Sequence, residues 1–205
     1  MRILVVAATA PEIAPLNSLF QARKNIDVLV TGVGMVPTAA RCARALGQTG
    51  YDLAVNFGIC GSFDPALPPG TVVHIVSDEI AELGAEDGDA FVSINEIVST
   101  ADRLVQNTNP PANDALAKLP AVTGITVNTV HGNAASIAAV VARCRPQVES
   151  MEGAAFMFAC RLSGVPYAQV RAVSNAVQRR NRGQWKVPEA IDALATAART
   201  ILETV

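Results

Sequence analysis

The sequence predicts an α/β fold, and three observations carry that expectation. Short apolar, β-branched runs alternate with longer Ala-rich segments over most of the chain. The apolar runs lack a polar alternation, as expected of strands covered on both faces. Proline and glycine punctuate the segments at helix starts and ends. At 205 residues, half of them apolar and 17% charged, the chain suits one domain with its own core, residues 1–205.

In order, RILVVAA, IDVLVTGVG and YDLAVNFGICG read as strands, with PTAARCARALGQTG as a helix between the second and third. Pro37 opens that helix and Gly50 closes it. TVVHIVSDEI and GITVNTV are further strands, separated by residues 84–120, an irregular stretch rich in Gly, Asp, Asn and Pro. ASIAAVVARC is helical, and QVES is a strand giving way to the helix EGAAFMFACRLSG, which Gly164 ends. PYAQVRAVS is the last strand, and PEAIDALATAARTILETV is a C-terminal helix begun by Pro188.

A formal net charge of −2 and a pI near 5.7 give no reason to expect nucleic acid. The only dense cationic group is Arg179, Arg180 and Arg182. No apolar stretch reaches the roughly 18 residues of a membrane span. Cys42, Cys60, Cys144 and Cys160 are scattered, and His74 and His131 are the only histidines, so no metal-site spacing appears. The sequence reads as a reduced, cytoplasmic protein.

Several stretches carry candidate chemistry. TGVGMVP starts like a dinucleotide-binding loop, but Pro37 stands where the third glycine belongs, and Asp52 opens its own strand. NAD binding is disfavoured. Two readings remain open: a tight turn, or Gly32 and Gly34 letting the backbone approach a ligand. In NFGICGS, Gly58 and Gly61 either relieve crowding or form a pocket where α/β folds collect ligands, at the carboxyl ends of strands. Glu12 in TAPEIAPL and Glu149 and Glu152 in QVESMEGAAF fit the first turns of helices, favoured by the macrodipole. Glu152, followed by Gly153, Ala154 and Ala155, is also a buried carboxylate that needs hydrogen-bond partners. His131 in NTVHGN reads as a structural or loop residue. In VRAVSNAVQRRNR, Asn175 ends a buried strand just before three arginines, as a turn residue or as a ligand to a purine.

Taken in order, Glu12, the G-V-G turn, N-x-G-x-x-G, Ser77–Glu79, Met151–Ala154 and Val170–Asn175 resemble the purine nucleoside phosphorylase/nucleosidase superfamily over nearly the whole chain. AEDGD, NTVHGN, VESMEGAAF and RNR-x-x-WK-x-P-x-AI resemble its futalosine hydrolase branch. The resemblance implies a phosphorylase/hydrolase-like single domain, a mixed central sheet flanked by helices. It implies a homo-oligomer, no metal and no cofactor, and N-ribosyl hydrolysis by water of a small purine nucleoside. For that branch the substrate is futalosine, an inosine-like menaquinone intermediate with a carboxyphenyl-bearing chain at its 5′ carbon, and hypoxanthine is released.

Carried over by position, Glu12 is the general base for water. Glu152 accepts the ribose hydroxyls and Met151 packs on the sugar. Gly34, Gly58 and Gly61 border the substrate, and Thr129 and Val130 line the base by their backbone. Methylthioadenosine/adenosylhomocysteine nucleosidases carry Asp where Asn175 stands. An amide keeps its protons but offers two donors, which suits the O6 and N7 of a 6-oxopurine. Arg180 and Arg182 have a solvated reading and a second one, as partners of the 5′ carboxylate. Four alternatives stay open: a methylthioadenosine/adenosylhomocysteine or aminodeoxyfutalosine nucleosidase, a phosphorylase, a non-catalytic nucleoside-binding protein and, most remotely, an NAD module.

Overall fold

A computed structural model describes residues 1–99, 102–108 and 110–205. From the N-terminus come β1 (Ile3–Ala7), α1 (Ala10–Ile13), α2 (Asn17–Ala22), β2 (Ile26–Val30), α3 (Met35–Gln48), β3 (Leu53–Ser62) and β4 (Val72–Ile80). The middle holds β5 (Gly84–Asp87), β6 (Ala90–Ser93), α4 (Ile94–Ile97), β7 (Leu104–Gln106) and α5 (Asp114–Ala117). The rest is β8 (Ala121–Thr126), α6 (Ala134–Cys144), β9 (Val148–Ser150), α7 (Gly153–Ser163), β10 (Tyr167–Ala176) and α8 (Val187–Glu203).

The expected strands and helices are present, with two differences. The strand read over GITVNTV stops at Thr126, because the Asn128 main chain and side chain both donate to the Glu82 carboxylate and turn the chain away. The stretch 84–120 contains a β5–β6 hairpin, β7 and two one-turn helices; residues 100, 101 and 109 of it lie outside the described residues.

The sheet is mixed. β2, β1, β3 and β10 run parallel in that order, and β10 then pairs antiparallel with β4. β4 pairs in parallel with β8, β8 with β9, and β9 returns antiparallel to β3, closing a ring of five strands. In β1, Ile3 and Val5 face the layer of α8, with Leu194 and Leu202, while Leu4 and Val6 face α3 and α7, with Cys42 and Phe156. Each large side chain buried on either face contributes about 1.5–3 kcal/mol. A strand sandwiched this way therefore carries no polar alternation.

The parallel run of β1, β3 and β10 brings three carboxyl ends together, at Ala7, Ser62 and Ala176. β9 delivers the start of α7 to the same end through its pairing with Gly61 and Ser62. In β10 a bulge intervenes, since Val173 opposes Cys60 but Asn175 opposes Gly61. The extra residue, Ser174, re-aims the end of the strand, Asn175 included.

Candidate active site

At that end lies a cleft of about 370 Å³, bordered by Glu12, Glu149, Met151, Glu152, Asn175 and Trp185 among others. A second cavity of about 300 Å³ adjoins it. Gly61, Val130, Glu149, Asn175, Arg180 and Trp185 line both, and His131 and Arg179 line the outer one.

Glu12 is 8% exposed and sits in the single turn of α1. Its Oε2 accepts hydrogen bonds from the Thr9 N–H and hydroxyl, each at 2.8 Å, as a helix-start carboxylate does. Its Oε1 accepts from the Ile59 N–H at 3.1 Å, tying β3 to the loop after β1. The helix-start reading and the cleft reading thus describe the same carboxylate. Glu152 precedes the first residue of α7 and is 8% exposed; its Oε1 accepts the Gly34 N–H at 2.9 Å. Burial pushes its pKa up, while the Arg171 cation and the Gly34 N–H pull the other way.

Behind these carboxylates stands Arg171, 1% exposed on β10, with Nη2 donating to Asn56 Oδ1. A Cβ built on Gly58 would lie 2.9 Å from both Arg171 Nη1 and Glu12 Oε1. Gly58 therefore borders the Glu12 carboxylate from behind, whereas Gly61 borders the open cavities. The Asn175 carbonyl oxygen lies 2.8 Å from the Ser174 hydroxyl, and its NH₂ donates to Ala176 O at 2.9 Å. One amide N–H remains for a ligand.

The other expected residues divide. Val130 and Met151 line the main cleft; Thr129 lines neither cavity, and its N–H points to Glu82 Oε1 at 3.4 Å. Arg180 lines both cavities, its guanidinium over the Trp185 ring at 5.4 Å, but Arg182, in the 3₁₀ turn 182–184, lines neither. Two residues escaped the sequence reading of the site. Arg171 had a signal in its charge, placed within an apolar strand run. Glu149 was read only as a helix-start acid, yet it is 4% exposed and lies 2.7 Å from His131 Nδ1. Among the described residues, no group of three or more His, Cys, Asp or Glu is arranged to hold a metal ion, and no helix is long and apolar enough to cross a membrane.

A family model described as the phosphorylase superfamily matches residues 7–205. Futalosine hydrolase of Streptomyces coelicolor is 37% identical over 184 residues, 83% of this chain and 76% of that protein. Futalosine hydrolase of Helicobacter pylori strain 26695, solved as a mutant, superposes with a TM-score of 0.86 at 16% identity, covering 100% of both chains. The 5′-methylthioadenosine/S-adenosylhomocysteine nucleosidase of Neisseria meningitidis, in complex with methylthio-immucillin-A, gives a TM-score of 0.82 at 16% identity over 100% of this chain and 99% of that one. The fold and these relatives make this chain an N-glycosyl hydrolase. It belongs to the phosphorylase superfamily, alongside the futalosine hydrolases.

Proposed function

We propose that the protein hydrolyses the N-ribosyl bond of futalosine and releases hypoxanthine, a step of menaquinone biosynthesis. The observation that carries this reading is the convergence of Glu12, Glu152 and Asn175 on one cleft at the carboxyl ends of the parallel strands.

Cleavage of the bond builds positive charge on the ribose and negative charge on the base, and the site must stabilise both. Glu152, fixed by Gly34, has a second oxygen for the ribose hydroxyls, and its charge favours the cationic sugar. Glu12 orients water and takes its proton. Its carboxylate already occupies the Ile59 N–H, so an incoming phosphate meets a negative charge at that amide. That favours water over phosphate as the nucleophile. Asn175 supplies a neutral donor to the base, and Arg180, braced on Trp185, is the cation available to the carboxylate of the 5′ substituent.

Four unpaired cysteines suit a reducing cytoplasm. Exposed Val28, Val30, Val33 and Val36, on the edge strand β2, the turn after it and the start of α3, favour a homo-oligomer.

The test is chromatographic detection of free base from futalosine, aminodeoxyfutalosine, methylthioadenosine and inosine, each with and without phosphate. Hypoxanthine from futalosine, independent of phosphate, is the expected result. Adenine from methylthioadenosine with futalosine untouched overturns the assignment in favour of the other nucleosidase branch. A strict need for phosphate makes the protein a phosphorylase.

A further inference from the structure

Breaking the bond between C1′ and N9 leaves its electron pair on the purine, which departs readily only if a ring nitrogen gains a proton. Asn175 has no proton to give, because an amide N–H stays on at ordinary pH. Of the other groups lining the cleft, Arg180 holds its protons permanently. Glu12 is the base that takes the water proton and Glu152 the acceptor for the ribose hydroxyls, and the main-chain N–H donors of Thr9, Ile59 and Gly34 favour both as carboxylates.

Glu149 is differently placed. It borders the inner and the outer cavity, on the same side as Asn175: a Cβ on Gly61 would lie 3.4 Å from Asn175 Nδ2 and 3.5 Å from Glu149 Cγ. The Asn175 amide and the Glu149 side chain therefore meet around the space that Gly61 leaves, with Val177 Cγ2 the nearest atom to it at 2.9 Å. Glu149 Oε2 is 2.7 Å from His131 Nδ1, and the His131 N–H donates to Oε1 at 3.1 Å. His131 itself lines the outer cavity, so the imidazole connects the buried carboxyl to the outer space.

We propose that Glu149, coupled to His131, is the general acid that protonates the departing purine. The inference rests on the N-ribosyl hydrolase reading above and assigns the proton that reading leaves without a source. The Glu149 proton passes to a ring nitrogen of the base as the C1′–N9 electron pair moves onto the purine. The water oxygen bonds to C1′ and its proton goes to Glu12. Glu149, left ionised, regains a proton from solvent through His131, and Glu12 returns its own to solvent.

The surroundings suit a carboxyl that holds its proton. Burial pushes the Glu149 pKa up, and the Glu82 carboxylate after β4 adds to that; His131 opposes it. Arg180, after β10, is the cation lining both cavities, and Glu12 and Glu152 are the other carboxylates of the cleft. The Cys60 thiol on β3, pushed up to about 12, stays neutral throughout.

The experiment compares wild type, Glu149→Gln and His131→Asn on futalosine and on N7-methylfutalosine, whose base already carries positive charge at N7 and leaves without a proton. Glu149→Gln is expected to lower kcat on futalosine by about 10²–10⁴-fold, and by no more than a few-fold on the methylated substrate. His131→Asn, which keeps the main-chain hydrogen bond, gives a smaller loss with the same substrate contrast. Wild-type kcat on futalosine falls as pH rises and Glu149 loses its proton, and this limb is absent in Glu149→Gln. Equal losses on both substrates, or a limb that persists in Glu149→Gln, overturn the proposal while leaving the hydrolase reading intact. Wild type that leaves futalosine whole overturns the reading and the proposal together. Should the methyl group exclude the second substrate, the alkaline limb decides alone.

Discussion

The main-chain N–H of Gly34 donates to Glu152 Oε1 at 2.9 Å, joining residues 118 apart in sequence. Gly34 has φ 104° and ψ 163°, a region essentially restricted to glycine. A Cβ there would meet nothing nearer than Pro37 Cδ at 4.0 Å, so the constraint lies in the backbone and not in space. Gly34→Ala is expected to strain this turn by about 1–3 kcal/mol and to pull the N–H from Glu152. In steady-state assays with the nucleoside, kcat/KM should drop about tenfold or more. An unchanged kcat/KM would show that Glu152 needs no anchor.

At Gly58 the constraint is the reverse. Its φ is not in the left-handed region, but an added Cβ would sit 2.9 Å from Glu12 Oε1 and from Arg171 Nη1. Gly58→Ala should therefore displace Glu12 and lose activity with a modest fall in Tm. Glu12→Gln, which keeps the shape, should lower kcat by about 10²–10⁴-fold with little change in KM or Tm. A Gly58→Ala enzyme with wild-type kcat contradicts the assignment of Glu12 as base.

Glu152 sets an acid limit. In the proposed reaction it serves the ribose as a carboxylate, and burial raises its pKa while Arg171 lowers it. As pH falls through that raised value the group takes up a proton and loses an acceptor, so kcat/KM should fall at a pH above the range of a free glutamate. Arg171→Gln keeps a donor for Asn56 but removes the opposing cation. Its acid limb should move to higher pH, and a pH profile of kcat/KM checks the direction.

Much of this was legible in the sequence, and the limits have physical causes. Apolar runs such as RILVVAA announced strands buried on both faces, and Glu12, Glu152 and Asn175 stood where strands end. The β-bulge at Ser174 left no mark in composition, although it re-aims Asn175. Glu149 looked like any acid near a helix start, because its place at the cleft depends on Gly61 across a strand pairing and on His131 in a distant loop. Thr129 and Val130 are adjacent in sequence, but Glu82 holds the loop so that only Val130 borders the cavities. Tertiary pairing of this kind has no local signal.

The arginines separate by position. Arg180 lines both cavities and stacks on Trp185, whereas Arg182 lines neither. Arg180→Ala should raise KM for futalosine about ten- to hundredfold, a charge-assisted hydrogen bond being worth about 1.5–3 kcal/mol, and leave KM for inosine nearly unchanged. Arg182→Ala should change neither. Equal increases for futalosine and inosine would rule out the carboxylate as the partner of Arg180.

Asp78 gives the sharpest prediction for stability. It is fully buried, with Thr126 Oγ1 donating to Oδ1 at 2.8 Å and Gln169 Nε2 to Oδ2 at 3.0 Å. Thr126 Oγ1 in turn accepts the Ala154 N–H at 2.7 Å, so the network anchors the start of α7 just past Glu152. A Cβ at Gly153 would fall 2.1 Å from Asp78 Oδ2 and 2.0 Å from Gln169 Oε1, which is why glycine follows Glu152. Desolvation pushes the Asp78 pKa up to about 6, against its hydrogen bonds and the Arg171 charge. Below the unfolded-state pKa both states are protonated and nothing is lost. As pH rises toward 6 the unfolded chain releases its proton first, and the fold loses about 2–3 kcal/mol, a shift of one unit being worth 1.36 kcal/mol. Asp78→Asn removes this titration. A flipped Gln169 amide can present its otherwise unpartnered Oε1 to the new NH₂. Urea unfolding at pH 4 and pH 7 should find the variant gaining on wild type by that amount between the two pH values. Parallel stabilities at both would mean that Asp78 is already ionised in the folded protein at pH 4.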